Sequence, residues 1–118
     1  MRRWRWAPPL CWAAIILIAT SIPNPNLPSP GRTDLLAHVA MYAPLGFLAA
    51  RAAASPRATA LVLVAVACAA FGAVDEWHQQ FIPGRFAGLD DWSADTLGAA
   101  LGVVAFAAAA RQRREPVT

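Results

Sequence analysis

Four apolar segments follow one another along the chain, separated by short stretches rich in proline, glycine and charge. The third is the clearest, because no side chain from Ala58 to Val74 is charged. These 17 residues span about 25 Å as a helix, close to the thickness of a bilayer core. The predicted membrane spans are residues 7–22, 35–54, 58–76 and 93–110. The pattern therefore predicts an all-α, four-helix transmembrane bundle, formed as a single domain over residues 1–118.

Proline and cap residues mark the ends of the predicted helices. Pro8 and Pro9 lie in the first turn of the first segment, where a helix tolerates proline. Four prolines between residues 23 and 30 exclude a helix there, and Thr33 or Asp34 then caps the second helix. The first segment also loosely fits a cleaved signal peptide, although Ile22-Pro23 is a poor start for a mature chain.

The arginines predict an orientation in the membrane. All ten basic residues are arginine; eight flank the segments on the side of the termini, and only Arg32 and Arg85 lie on the other side. Such a bias predicts cytoplasmic N- and C-termini in a multi-pass protein of the inner (cytoplasmic) membrane. Six of the seven carboxylates collect on the outer side, so the chemistry is expected there.

The composition of the chain indicates which class of protein it is and which kinds of partner are expected. The chain is 58% hydrophobic and 14% charged, too apolar for an ordinary soluble domain, so the lipid bilayer is the expected partner. A net charge of +3 does not indicate nucleic acid, because the arginines lie at the ends of apolar segments. Cys11 and Cys68 lie inside such segments and do not predict a disulfide framework. No cofactor is predicted.

Polar side chains repeat at helical spacing at the outer ends of three helices. The stripes are Asp34, His38 and Tyr42 on the second helix, Asp75, Glu76, His78 and Gln79 on the third, and Asp91 and Asp95 on the fourth. Because these ends lie at one level of the membrane, the stripes are expected to face one another. Below the last stripe, Gly98 and Gly102 form a GxxxG pair that permits close helix contact or self-association.

Several kinds of chemistry fit such a cluster. Carboxylate and imidazole can bind a divalent metal, but no familiar zinc spacing is present, so no metal ligands are assigned. General acid and base chemistry is the second alternative. The third is structural: the acids act as helix caps, His38 fastens neighbouring helices, and Arg85 pairs with Asp90 or Asp91. That alternative explains poorly why Asp75 to Gln80 holds five polar groups in six positions.

These residues resemble a known family. The matching motifs are Asp34-Leu35-Leu36-Ala37-His38, Tyr42, Leu45-Gly46, Asp75-Glu76-Trp77-His78-Gln79, Pro83-Gly84-Arg85, Asp91, Thr96-Leu97-Gly98 and Gly102. From about Asp34 to Gly102 the chain is similar to the VanZ-like family of small bacterial membrane proteins. The resemblance implies a four-helix integral membrane protein with a role in tolerance to the glycopeptide teicoplanin.

Two positions depart from the family pattern. Leu35 stands where a lysine is frequent, and Asp95 stands where asparagine is frequent. Both departures make the outer site more acidic. The second favours a cationic or metal-bound ligand.

Two functional hypotheses follow. In the first, the protein binds or modifies a lipid-linked or wall-related molecule of the cell envelope at the outer leaflet. Arg85 holds its phosphate or carboxylate, Glu76 or His78 exchanges protons, and Asp34 orients His38. The other candidate site residues are Asp75 as a further catalytic acid, with Gln79, Asp91, Asp95 and Tyr42 in binding. In the second hypothesis the polar belt is structural, and the protein is a non-catalytic partner or scaffold within the membrane.

Overall fold

Helices dominate the computed structural model, which describes residues 2–23, 32–85, 88–114 and 116, with the side chains of residues 2 and 32–34 left aside. A short 3-10 helix, Arg2–Trp4, precedes four α-helices. These are α1 (Ala7–Ser21), α2 (Arg32–Ala53), α3 (Ala58–Gln79) and α4 (Leu89–Gln112). No strand occurs among the described residues. The prediction of an all-α bundle of four helices is confirmed.

Three of the four helices are long and apolar enough to cross a membrane: α2 from Leu35, α3 and α4. α1 is apolar but has only 15 residues, a length of about 22 Å. Large apolar side chains on the outside of the bundle include Leu36, Leu63 and Val104, each more than 60% exposed. Such an exposed apolar surface would promote aggregation in water, whereas it suits contact with lipid.

Several helix ends differ from the predicted spans, and two of them lie at the site. α3 continues to Gln79 rather than residue 76, because its last polar side chains are buried in the bundle and hydrogen-bonded there. α4 begins at Leu89 rather than residue 93, after an extended Gly88. Asp90 and Asp91 consequently lie inside the first turn, where negative charge complements the helix dipole, and neither is the N-cap.

Small residues let the backbones of α2 and α4 touch, and this is the most extensive helix interface. A Cβ atom at Gly98 would lie 2.5 Å from the Val39 carbonyl oxygen, and one at Gly102 would overlap the carbonyl of Ala43. Gly98 and Gly102 of the GxxxG pair therefore pack against α2 of the same chain. The self-association predicted through these glycines would require this contact to open.

α1 is packed into the bundle. Trp12 Nε1 donates a 2.7 Å hydrogen bond to the Met41 carbonyl, and Ile16 is fully buried in the apolar core. α1 thus supplies residues to the core of the bundle. The remaining buried core is built mainly from α2, α3 and α4, with Tyr42, Leu45, Ala49, Ala50, Val64, Cys68, Ala99 and Val103.

Candidate functional site

A buried polar cluster lies where α1 and α3 end and α2 and α4 begin. It contains Thr20, His38, Asp75, Glu76, Gln79, Asp91 and Asp95, all buried, together with the buried hydroxyl-bearing Tyr42. α1 contributes only Thr20, whereas the pairs on α2 (His38 and Tyr42) and on α4 (Asp91 and Asp95) are four residues apart and share a helix face. All four helices thus build one site at one end of the bundle.

His38 lies at the centre of this cluster, among three carboxylates. Its Nδ1 is 2.6 Å from Asp95 Oδ1 and 3.8 Å from Glu76 Oε1, while Nε2 is 3.9 Å from Asp91 Oδ1. When Asp95 is ionised its oxygen can only accept, and the short bond then places a proton on Nδ1. In that neutral ring Nε2, which faces Asp91, carries the lone pair for proton transfer or metal coordination.

Glu76 is held by one side chain and one backbone group. Gln79 Nε2 donates to Oε1 at 3.4 Å, and the Gly88 amide donates to Oε2 at 3.3 Å. The second bond joins the start of α4 to the end of α3 across the intervening turn. Glu76 is 7% exposed, so its carboxylate lies just beneath the protein surface.

Asp75 fastens three helices together. Thr20 Oγ1 of α1 donates to Oδ1 at 2.7 Å, and Tyr42 OH of α2 donates to Oδ2 at 2.9 Å. Asp75 is 0% exposed, and both of its oxygens accept a hydrogen bond. This saturation indicates that Asp75 positions helices. The catalytic role predicted for Asp75 stays a prediction.

Removing either donor to Asp75 is expected to destabilise the bundle. Tyr42→Phe and Thr20→Val each leave one buried carboxylate oxygen without its donor, at an expected cost of about 1–3 kcal/mol in the free energy of unfolding. Unfolding in mixed detergent micelles measures this cost. The matched control is Ser21→Ala, since the exposed Ser21 hydroxyl bonds only to the Leu17 carbonyl of its own helix. Equal stability of Tyr42→Phe, Thr20→Val and Ser21→Ala would contradict the role given to Asp75.

Negative charge exceeds positive charge in the cluster. The cluster holds four carboxylates, Asp75, Glu76, Asp91 and Asp95, and one imidazole, and the last three of these acids lie within 3.9 Å of that ring. In the described part of the chain, no arginine forms an ion pair with Asp75, Glu76 or Asp95. Buried charges are costly unless they are paired, so the cluster favours bound protons or a bound cation.

Comparison with known proteins identifies the group to which the chain belongs. The family model described as VanZ/LLP1 matches residues 6–110, which include all four helices almost completely. The chain belongs to the VanZ/LLP1 family. The predicted resemblance is thus confirmed. No curated protein and no solved structure matches the chain.

Two residues predicted for the site of this VanZ/LLP1 protein, Arg85 and His78, make no hydrogen bond or ion pair with the cluster among the described residues. Arg85 donates from Nε to the Ile22 carbonyl and from a terminal nitrogen to the Ala19 carbonyl, both at 3.0 Å. It therefore satisfies the carbonyls left open at the end of α1. His78 has no hydrogen bond or ion pair recorded within the described residues, and its buried Nδ1 lacks a partner there. The side chain of Asp34 lies outside the described residues.

An apolar groove lies beside the cluster of the VanZ/LLP1 chain, between the first halves of α2 and α4. It has a volume of about 610 Å³. Its lining residues are Leu35, Leu36, Val39, Asp90, Ser93, Ala94 and Leu97. Several of them are sequence neighbours of His38, Asp91 and Asp95. The polar cluster and a membrane-facing apolar surface are thus adjacent.

Thr20 was missed by the sequence analysis, which treated the first span as wholly apolar. Trp12, Ile16 and Thr20 repeat every four residues and form the face of α1 that meets the bundle. A hydroxyl at the C-terminal end of that stripe was the signal that could have identified it.

Proposed function

We propose that this VanZ/LLP1 protein is a multi-pass protein of the cytoplasmic membrane that binds or modifies a lipid-linked or wall-related molecule at the outer leaflet. Tolerance to teicoplanin is its proposed role in the cell. The observation that carries the proposal is the 2.6 Å pair of His38 and the fully buried Asp95, with Glu76 and Asp91 within 3.9 Å of the same ring.

The His38–Asp95 pair supports proton transfer. A carboxylate bonded to Nδ1 fixes the orientation and tautomer of an imidazole, and Nε2 then accepts or delivers protons. Asp95 is thus placed to orient His38, and the orienting role suggested for Asp34 stays a prediction. Glu76 is the second proton carrier in this proposal, since it lies near the ring and near the surface.

The neighbouring groove supports an amphiphilic ligand. Its walls are mostly leucine, valine and alanine, and its polar members are Asp90 and Ser93. A molecule with a lipid chain in the groove would carry its head group to the level of His38. This arrangement suits a lipid-linked molecule better than a small soluble one.

Two histidine variants test the proposal. We expect His38→Asn to abolish teicoplanin tolerance in a host that depends on this gene, whereas His78→Asn retains it, because only His38 contacts the carboxylates. The measurement is the lowest teicoplanin concentration that prevents growth, with membrane abundance of each variant quantified by immunoblotting. Equal tolerance for His38→Asn and wild type, at equal abundance, would refute the assignment.

A structural role is the second candidate, favoured by the saturated hydrogen bonds of Asp75. Under that alternative the whole belt fastens helices, and the protein is a membrane partner or scaffold. Glu76→Gln separates the two, because it removes the charge at nearly constant volume, while its one amide oxygen still accepts from either Gln79 or the Gly88 amide. Loss of tolerance with an unchanged melting temperature in detergent supports the binding or catalytic function. Loss of both supports the scaffold.

A further inference from the structure

We infer that His38, Glu76 and Asp91 form a binding site for one divalent transition-metal ion, of the zinc or manganese class. One donor atom from each residue lies within 4.8 Å of the other two. The three ligands come from three different helices, α2, α3 and α4, so the bundle itself brings them together. The inference deepens the proposed function, since it concerns the same site.

The donor set suits such an ion. Imidazole nitrogen and carboxylate oxygen are both zinc ligands, and a zinc site with three protein ligands keeps a further position open for water or substrate. At metal–ligand distances of about 2.0–2.2 Å, two tetrahedral ligands lie about 3.4 Å apart. The present separations are wider: His38 Nε2 and Asp91 Oδ1 are 3.9 Å apart, and the three donor atoms lie within 4.8 Å of one another. Changes of side-chain torsion would bring the donors to bonding distance of one ion.

Asp95 supplies an independent indication of a cation. Metal-binding histidines almost always donate their other ring N–H to a carboxylate, which fixes the tautomer and makes the ligand more basic. Asp95 Oδ1 stands in that position, 2.6 Å from His38 Nδ1. Its second oxygen is buried and has no hydrogen-bond partner among the described residues. A positive ion at the other nitrogen of the His38 ring would stabilise this fully buried carboxylate.

A metal ion also resolves a conflict within the proposed function. A phosphate or carboxylate of an envelope molecule would be repelled by four acidic side chains, and Arg85 is directed to the carbonyls of Ala19 and Ile22. An ion held by Glu76 and Asp91 would present positive charge at the same place. It could bind an anionic head group and, as a Lewis acid, polarise it.

Direct titration tests the site without any envelope molecule. Purified protein in detergent, stripped with a chelator, is titrated with Zn²⁺ by calorimetry, and with Co²⁺ while its visible absorption is recorded. We expect one ion per chain. Asp91→Asn is expected to weaken binding at least about tenfold, whereas Asp90→Asn, an exposed neighbour on the same turn, leaves it unchanged. A melting temperature that rises with zinc in wild type and Asp90→Asn, but not in Asp91→Asn, gives a second measurement.

Failure of the metal site is distinguishable from failure of the proposed function. The inference is overturned if wild type binds no ion, or if Asp91→Asn and Asp90→Asn bind equally well. If Asp91→Asn does not fold, Glu76→Gln replaces it with the same expectation and the same control. Loss of teicoplanin tolerance in His38→Asn together with no metal binding by wild type would overturn the metal inference and leave the proposed function standing.

Discussion

Gly102→Ala is expected to destabilise this protein by about 2 kcal/mol or more, although alanine is the better helix former by about 1 kcal/mol. Gly102 is buried on the α4 face that meets α2. A Cβ atom there would overlap the Ala43 carbonyl and lie 2.7 Å from the Phe47 amide nitrogen. Since both contacts are backbone atoms, relief requires the helices to separate along their interface. That separation would also disturb the cluster, because His38 on α2 and Asp95 on α4 lie at the end of the same interface.

Gly88→Ala is the matched control for this prediction. Gly88 precedes α4 in an extended conformation that any residue adopts, and a Cβ atom there meets nothing within 4 Å. The alanine keeps the backbone amide that donates to Glu76. Unfolding of the three proteins in mixed micelles, followed by circular dichroism, measures the difference. A Gly102→Ala protein as stable as Gly88→Ala would show that the contact of α2 with α4 is looser than described.

Helical periodicity was enough to predict much of the fold and part of the site. The uncharged run before Val74 and the prolines after Ile22 determine where helices can exist, since both effects are local. The spacing of Asp91 and Asp95 likewise determines that they share a face. For these features the residues interact with the bilayer or with their own helix, and no knowledge of tertiary packing is needed.

Which side chains bond to one another within the site could not be predicted in the same way. Four carboxylates lie at one level of the membrane, so spacing alone did not indicate which of them bonds to His38. Asp95 lies 57 residues away in the chain, and the distance between α2 and α4 decides the pairing. Arg85 is a second example. Its guanidinium lies at the end of α1 and donates to open carbonyls there. Sequence alone did not distinguish these acceptors from a ligand phosphate.

Asp95→Ala is expected to cost about 3–5 kcal/mol in the free energy of unfolding, the range seen when one member of a buried polar pair is removed. Asp95 is 0% exposed and forms the shortest hydrogen bond recorded for His38. Truncation leaves a cavity and deprives the Nδ1 proton of its acceptor. Because the imidazole lies between helices, water cannot easily replace the lost carboxylate.

Asp95→Asn separates the hydrogen bond from the charge. The amide oxygen still accepts from His38 Nδ1 and the volume is unchanged, so we expect a loss of only about 1 kcal/mol. Unfolding of both variants in the same micelles tests the pair. Equal costs for Asp95→Asn and Asp95→Ala would mean that Asp95 contributes through its charge. A cost near zero for both would mean that the His38–Asp95 bond does not stabilise the bundle.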